Sequence, residues 1–135
     1  MNIKQAYFSR FILLIVIFSS LSLVSGCHIF QPSDSDRAAY AKQAKELAPA
    51  TGKLTVAIQA IIEYPPLSEG LSDEQILQYI YTEKPELGKV FSGRKVQFSR
   101  VDKHVEVTVY ADDQKTALIV DSSSTPEIDF IYKGD

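Results

Sequence analysis

Few side chains in this chain are able to do chemistry, and their spacing argues against most reactions. There are two histidines, His28 and His104. His104 opens an alternating segment on its polar side, with no ligand or proton partner at a recognisable spacing. Acidic pairs occur at Asp112-Asp113, between two alternating segments, and at Asp34 and Asp36, before a helical pattern. A calcium loop needs D-x-D-x-D alternation and a distal Glu, so turn and helix-start chemistry account better for these acids. Ser122-Ser123-Ser124 offers hydroxyls without a G-x-S-x-G elbow, and only His104 is left to act as a base. Gly52, Gly88 and Gly93 stand alone, which excludes a glycine-rich phosphate loop. No catalytic residue, metal ligand or cofactor is therefore expected. A carboxylate pair drawn together from the 17 acids stays open to any fold.

Contact residues are the other candidates. Arg94, Lys95, Arg100 and Lys103 cluster around the first alternating segments, with Lys84 and Lys89 just upstream. Tyr79 projects away from the Ile76/Ile80 stripe, and Tyr110 falls opposite Val105, Val107 and Val109. Exposed tyrosines beside a basic ribbon would suit an anionic partner, a membrane surface or peptidoglycan. The plainer reading is a solvated hairpin whose tyrosines cover the rim of a small core.

Charge and size narrow the classes further. The 135 residues carry 14 Lys and Arg against 17 Asp and Glu, a net charge of −3. One domain of ordinary size fits, and a phosphate-tracking nucleic-acid binder would need a basic face. A single cysteine excludes an internal disulfide framework and a multi-cysteine zinc site.

That cysteine closes a distinctive N-terminus. Residues 1–10 hold Lys4 and Arg10 and no acid, and an apolar run follows from Phe11 to Phe18. Serines 19, 20 and 22 then dilute the segment up to Val24. It is too short and too polar at its end to span a bilayer, which takes about 20 apolar residues. It has the charged and apolar regions of a secretory signal. The closing Val24-Ser25-Gly26-Cys27 resembles the lipobox of bacterial lipoproteins, with Val24 at −3 and Cys27 at +1. The resemblance covers residues 1–27 only. It implies diacylglyceryl transfer to the Cys27 sulfur, cleavage between Gly26 and Cys27, and acylation of the new amino group. Small residues at Ser25 and Gly26 leave the peptidase room. Lipidation would also remove the one free thiol from an exported chain. His28 stands at +2, where Asp is the inner-membrane retention signal of this class, so the outer membrane's periplasmic face is the implied destination.

The remaining segments must build the domain. Residues 27–35 read as lipidated cysteine and polar tether, and 36–135 as a single small domain. Asp34 or Ser35 is placed to cap a helix over 36–48 that stops before Pro49, with a thin stripe of Tyr40, Ala44 and Leu47. Residues 53–64 fit a strand by alternation and a helix by spacing, and their length and Ala/Gln content favour the helix. Ser72 and Gln75 form a capping-box pattern ahead of a helix over 73–83, followed by a short helix from Pro85 with Leu87, Val90 and Phe91. From Lys95 the period becomes two, with a hairpin at Asp102-Lys103 and further strands over 115–121 and 127–132. Helices followed by a strand meander predict an α+β domain, its N-terminal helices packed on an antiparallel sheet of three to four strands. The functional expectation is a non-catalytic, membrane-anchored envelope module that binds another protein. The alternative is an inhibitor or immunity-type lipoprotein that neutralises a periplasmic enzyme or toxin.

Replacing Cys27 by Ser should abolish fatty-acid labelling and leave a precursor longer by the 26-residue signal. Mass spectrometry that finds an unlipidated Cys27 in the mature protein would overturn the lipoprotein resemblance.

Overall fold

The structure, a computed structural model, describes residues 31–133. The signal-like segment, Gly26, Cys27 and His28 lie outside the described residues. Four helices come first: α1 (Asp34–Ile62), α2 (Pro65–Ser68), α3 (Asp73–Glu83) and α4 (Pro85–Val90). Four strands follow: β1 (Val96–Val101), β2 (His104–Tyr110), β3 (Ala117–Ser122) and β4 (Ile128–Phe130). The strands pair antiparallel in the order β1-β2-β3-β4. The architecture is α+β, with helices ahead of a four-stranded meander.

The expected break at Pro49 is absent, and two anticipated elements are one helix of 29 residues. Its start is also earlier than expected. Ser33, not Asp34 or Ser35, is the cap: its hydroxyl accepts from the Asp36 N–H, and the Asp36 carboxylate accepts from the Ser33 N–H. Proline inside a helix costs about 3 kcal/mol, through a lost hydrogen bond and a clash one turn back. Pro49 lies on the exposed side, where water can reach the freed carbonyl. The opposite side buries Ala41, Ala44, Leu47, Thr51, Leu54, Ile58 and Ile61 at spacings of three and four. Each fully buried Leu or Ile contributes roughly 1.5–3 kcal/mol, so two or three of them outweigh the proline. The thin stripe read at 36–48 is the first half of this longer one. The alternating reading of 53–64 fails at Val56, which is 69% exposed.

Helix α3 matches its expected limits. Gln75 N–H donates to the Ser72 hydroxyl at 3.2 Å, and Ser72 N–H donates to the Gln75 side chain at 2.9 Å. Ile76 and Ile80 are buried, with Leu77 and Tyr81 only partly so. In α4, Leu87 and then Phe91 turn inward, whereas Val90 stays exposed. Gly88 lets α4 close on α3, since a Cβ there would lie 3.2 Å from Tyr81 Cβ and 3.3 Å from its carbonyl oxygen.

The sheet has one dry face. Phe98 on β1, Val105, Val107 and Val109 on β2, and Ile119 on β3 all point to the helices and are buried. Helix α1 packs along β2, β3 and β4 and also meets α3 and α4. The β1–β2 hairpin turns through Asp102-Lys103, with Asp102 in the left-handed region at φ 54°, which Asp tolerates. A register shift after Val109 breaks the alternation in β3, and adjacent Leu118 and Ile119 are both fully buried. β3 starts at Ala117, two residues later than expected, because the Asp113 carboxylate accepts the Lys115 and Thr116 N–H groups into a loop. β4 is three residues, shorter than the expected 127–132.

Gly52 sits inside α1, and a Cβ there would meet only Ile128 Cδ1 at 3.9 Å, an ordinary contact. Gly52→Ala should therefore raise stability by about 0.5–1 kcal/mol, from the helical entropy that glycine forfeits. A urea midpoint unchanged or lowered by this substitution would contradict the continuous helix.

Candidate functional site

Two shallow pockets mark the described surface, and the free edge of the sheet runs through the larger. Pairing along β1 has a definite phase. Tyr110 N–H donates to the Lys95 carbonyl, so Lys95, Gln97, Ser99 and Val101 aim their backbone groups at β2. Val96, Phe98 and Arg100 aim theirs outward. None of those outward groups has a backbone partner among the described residues. A groove of about 590 Å³ extends from the outer face of β1 and β2, around this edge, to the first turns of α3. Asp73, Glu74 and Glu106 line it, and Lys95 is its one basic side chain.

Two of the four expected basic contact residues, Arg94 and Arg100, are ion-paired within the fold. Arg94 is not part of an exposed ribbon: its side chain is 18% exposed and pairs with Asp112 at 2.8 Å. Its guanidinium also donates to Gln43 and to the Tyr110 carbonyl, tying α1 to the sheet. Lys95 Nζ lies 4.4 Å from the centre of the Tyr110 ring, and the Tyr110 hydroxyl donates to Gln97 at 2.8 Å. Arg100 reaches across the free edge to Asp73 at 3.7 Å. Lys103 is exposed at the hairpin turn, where its carbonyl accepts from Gln59. Tyr79 is exposed on α3 and lines neither pocket. Of the candidates, Lys95 alone lines the groove, with Arg100 and Tyr110 bonded to residues that do. An anionic partner is therefore a poor match for it, because three acids face one engaged lysine.

The other chemistry-bearing residues fall where turn and surface chemistry put them. His104 is exposed opposite Val101 on the outer face of the hairpin. Among the described residues no three His, Cys, Asp or Glu side chains stand together as metal ligands. No described helix is long and apolar enough to cross a membrane. Tyr81 stacks against Phe91 with ring centres 6.4 Å apart, and burial pushes its hydroxyl up to about 12. Asp113 is held down at about 2, first by the Thr116 hydroxyl and then by the N–H groups of Thr116 and Lys115. Tyr40 adds a longer hydrogen bond of 3.4 Å from α1. All of these partners are structural, so the strongly acidic Asp113 is a loop anchor.

Two features lie beyond the residues the sequence singled out. One is the set of outward backbone groups on β1, which leave no mark on side-chain identity and follow only from β1 being first in a meander. The other is Asp121, on the core face of β3 opposite Val107 and only 5% exposed. Its signal was present, since Asp121 shares the strand parity of buried Ile119. No family model, curated protein or solved structure matches this chain.

The Asp113 carboxyl titrates lower in the fold than in an unfolded chain, where it lies near 3.9. A depressed acid contributes stability above about pH 4 and loses it as pH falls toward 2. The urea midpoint should drop across that window, and drop less in Asp113→Asn. Superimposable acid profiles for the two proteins would show that this loop anchor carries no stability.

Proposed function

We propose that this chain is a lipid-anchored, non-catalytic binding module of the bacterial envelope that docks another envelope protein along β1. The anchor is Cys27, and the destination is the periplasmic face of the outer membrane. Support for the anchor is the ordered sequence of charged start, short apolar run and Val24-Ser25-Gly26-Cys27. His28 at +2, in place of the retaining Asp, supports the outer membrane. Six residues separate Cys27 from the first residue of α1, a reach of at most roughly 25 Å. A domain so tethered meets partners close to the membrane.

The observation that carries the docking reading is the edge of β1, which has no backbone partner among the described residues. Such an edge is a template for an added strand, and natural proteins cover, shorten or charge the edges they do not use. β4, at the opposite edge, is short. β1 is six residues long and lies open beside a groove. An extended segment of a partner would pair with Val96, Phe98 and Arg100, and place alternate side chains in the groove. The acids Asp73, Glu74 and Glu106 favour basic residues at those positions.

Arg100 N–H points away from β2, so proline at this position removes an edge donor without breaking the β1–β2 ladder. A photocrosslinker at Ser99 in intact cells should capture one envelope protein. Arg100→Pro should cut that yield up to roughly tenfold, the effect of losing one hydrogen bond at the upper end of its net worth, while Arg100→Ala retains most of it. Equal yields from the folded proline and alanine variants would rule out strand addition.

A further inference from the structure

The second pocket, about 410 Å³, lies between the last turns of α1 and the turn joining β3 to β4. It is separate from the β1 edge and owes nothing to the docking reading. Its floor includes Asp121, on the core side of the sheet, level with Val107 on β2 and Ile128 on β4. The residue is 5% exposed, yet no side chain or backbone group among the described residues hydrogen-bonds or ion-pairs with its carboxylate. Among the described residues no side-chain oxygen is both shut off from solvent and without a partner, so the Asp121 oxygens open into the pocket. Water reaching through a narrow opening compensates a carboxylate less well than a bound cation does.

The neighbouring polar groups are already committed in a way that leaves acceptors facing the opening. Gln59 donates to Glu63 at 2.6 Å and to the Lys103 carbonyl at 3.0 Å. Its oxygen accepts from the Ser123 hydroxyl, which in turn accepts from the Val105 N–H. Both Gln59 donors are therefore spent. Asp121 and Glu63 are the charged groups of the lining, and no Lys or Arg is among its residues. Val56 on α1 and Ile128 on β4 supply apolar wall, and Val56 is the most exposed of the large hydrophobic side chains.

We infer that this pocket binds a primary alkylammonium group, with the Asp121 carboxylate as its counter-ion and Val56 and Ile128 against its alkyl stem. The two charged acceptors come from separate elements, the Asp121 carboxylate from β3 and the Glu63 carboxylate from the end of α1. Carboxylates on separate elements suit the diverging donors of an ammonium better than the planar fork of a guanidinium, which a single carboxylate matches. The same chemistry is carried by a free alkylamine and by a lysine side chain of a partner.

The test uses the full lipidated protein in neutral detergent at fixed ionic strength, following the amides of Ser122, Ser123 and Ile128 by NMR. n-Butylammonium should give saturable shifts with a Kd of roughly 1 mM, as expected for so small a ligand. Asp121→Asn should weaken binding at least about tenfold, because the charge-assisted contact is lost, without lowering the melting temperature. Glu63→Gln, at the exposed end of α1, gives a second variant and should weaken binding about threefold. Acetyl-Gly-Lys-Gly-amide binding tighter than n-butylammonium would identify a partner's lysine as the source, and the reverse a free amine. Equal shifts from tetramethylammonium, tighter binding of n-butylguanidinium or calcium, or undiminished binding in both variants would each overturn the assignment.

Discussion

The continuous burial of one face of α1 against the sheet is the constraint on which the rest of the structure depends. Ala44, Leu54 and Ile58 are fully excluded from water on that face, and Val107, Val109 and Ile119 are excluded on the sheet beneath them. A helix broken at Pro49 would present two short stripes with no fixed angle between them. Kept whole, it serves as a ruler along three strands, and both polar ends of the domain are indexed to it. Near its start, Gln43 and Tyr40 reach Arg94 and Asp113 beside the β2–β3 loop. Near its end, Gln59 reaches the β1–β2 turn and Ser123. From Asp34 to Gln59 the helix rises roughly 38 Å, at about 1.5 Å per residue.

How much of this was legible in the sequence depends on the range of the interaction that decides each element. The α3 capping box and the two-residue turn at Asp102-Lys103 are settled within four residues, and both appear where their patterns place them. The valine row of β2 is set by a period of two and a single dry face, and it too is plain. Pro49 is the opposite case. Its local preference is to end a helix, and it is overruled by the burial of Leu54, Ile58 and Ile61 in a core that α1 shares with β2, β3 and β4 and with the following helices. Local rules therefore divided an element that tertiary burial unites. The start of β3 failed for a related reason, because the Asp113 carboxylate draws two N–H groups into a loop before the ladder can form.

The candidate surface shows the same division between side-chain identity and side-chain occupation. Arg94, Lys95 and Arg100 are basic by composition, but each is engaged by a group that becomes its neighbour only after folding. Asp112 and Asp73 pair with the two arginines, and the Tyr110 ring lies beside the Lys95 ammonium. Surface ion pairs of this kind contribute little to stability, roughly 0–1 kcal/mol. Their effect here is on recognition, because they leave the groove beside β1 with more acid than free base. Of the expected basic ribbon, Arg94 is drawn inward, whereas Arg100 and Lys103 stay exposed.

The two edges of the sheet carry the last step of the argument. A meander of four strands must end in two open edges, and each edge exposes outward N–H and C=O groups that would otherwise recruit further strands. β4 limits the problem by length, with only three residues. On β1 the device is Arg100, a charge on the core side of the edge, reaching over to Asp73 on α3. The pair is exposed on both sides and 3.7 Å apart, which makes it a weak closure. A strand arriving with its own basic residue could compete for Asp73 and release Arg100 at little cost. The Arg100–Asp73 closure thus yields to a complementary basic segment, and specificity at this edge reduces to which chain can supply a second cation.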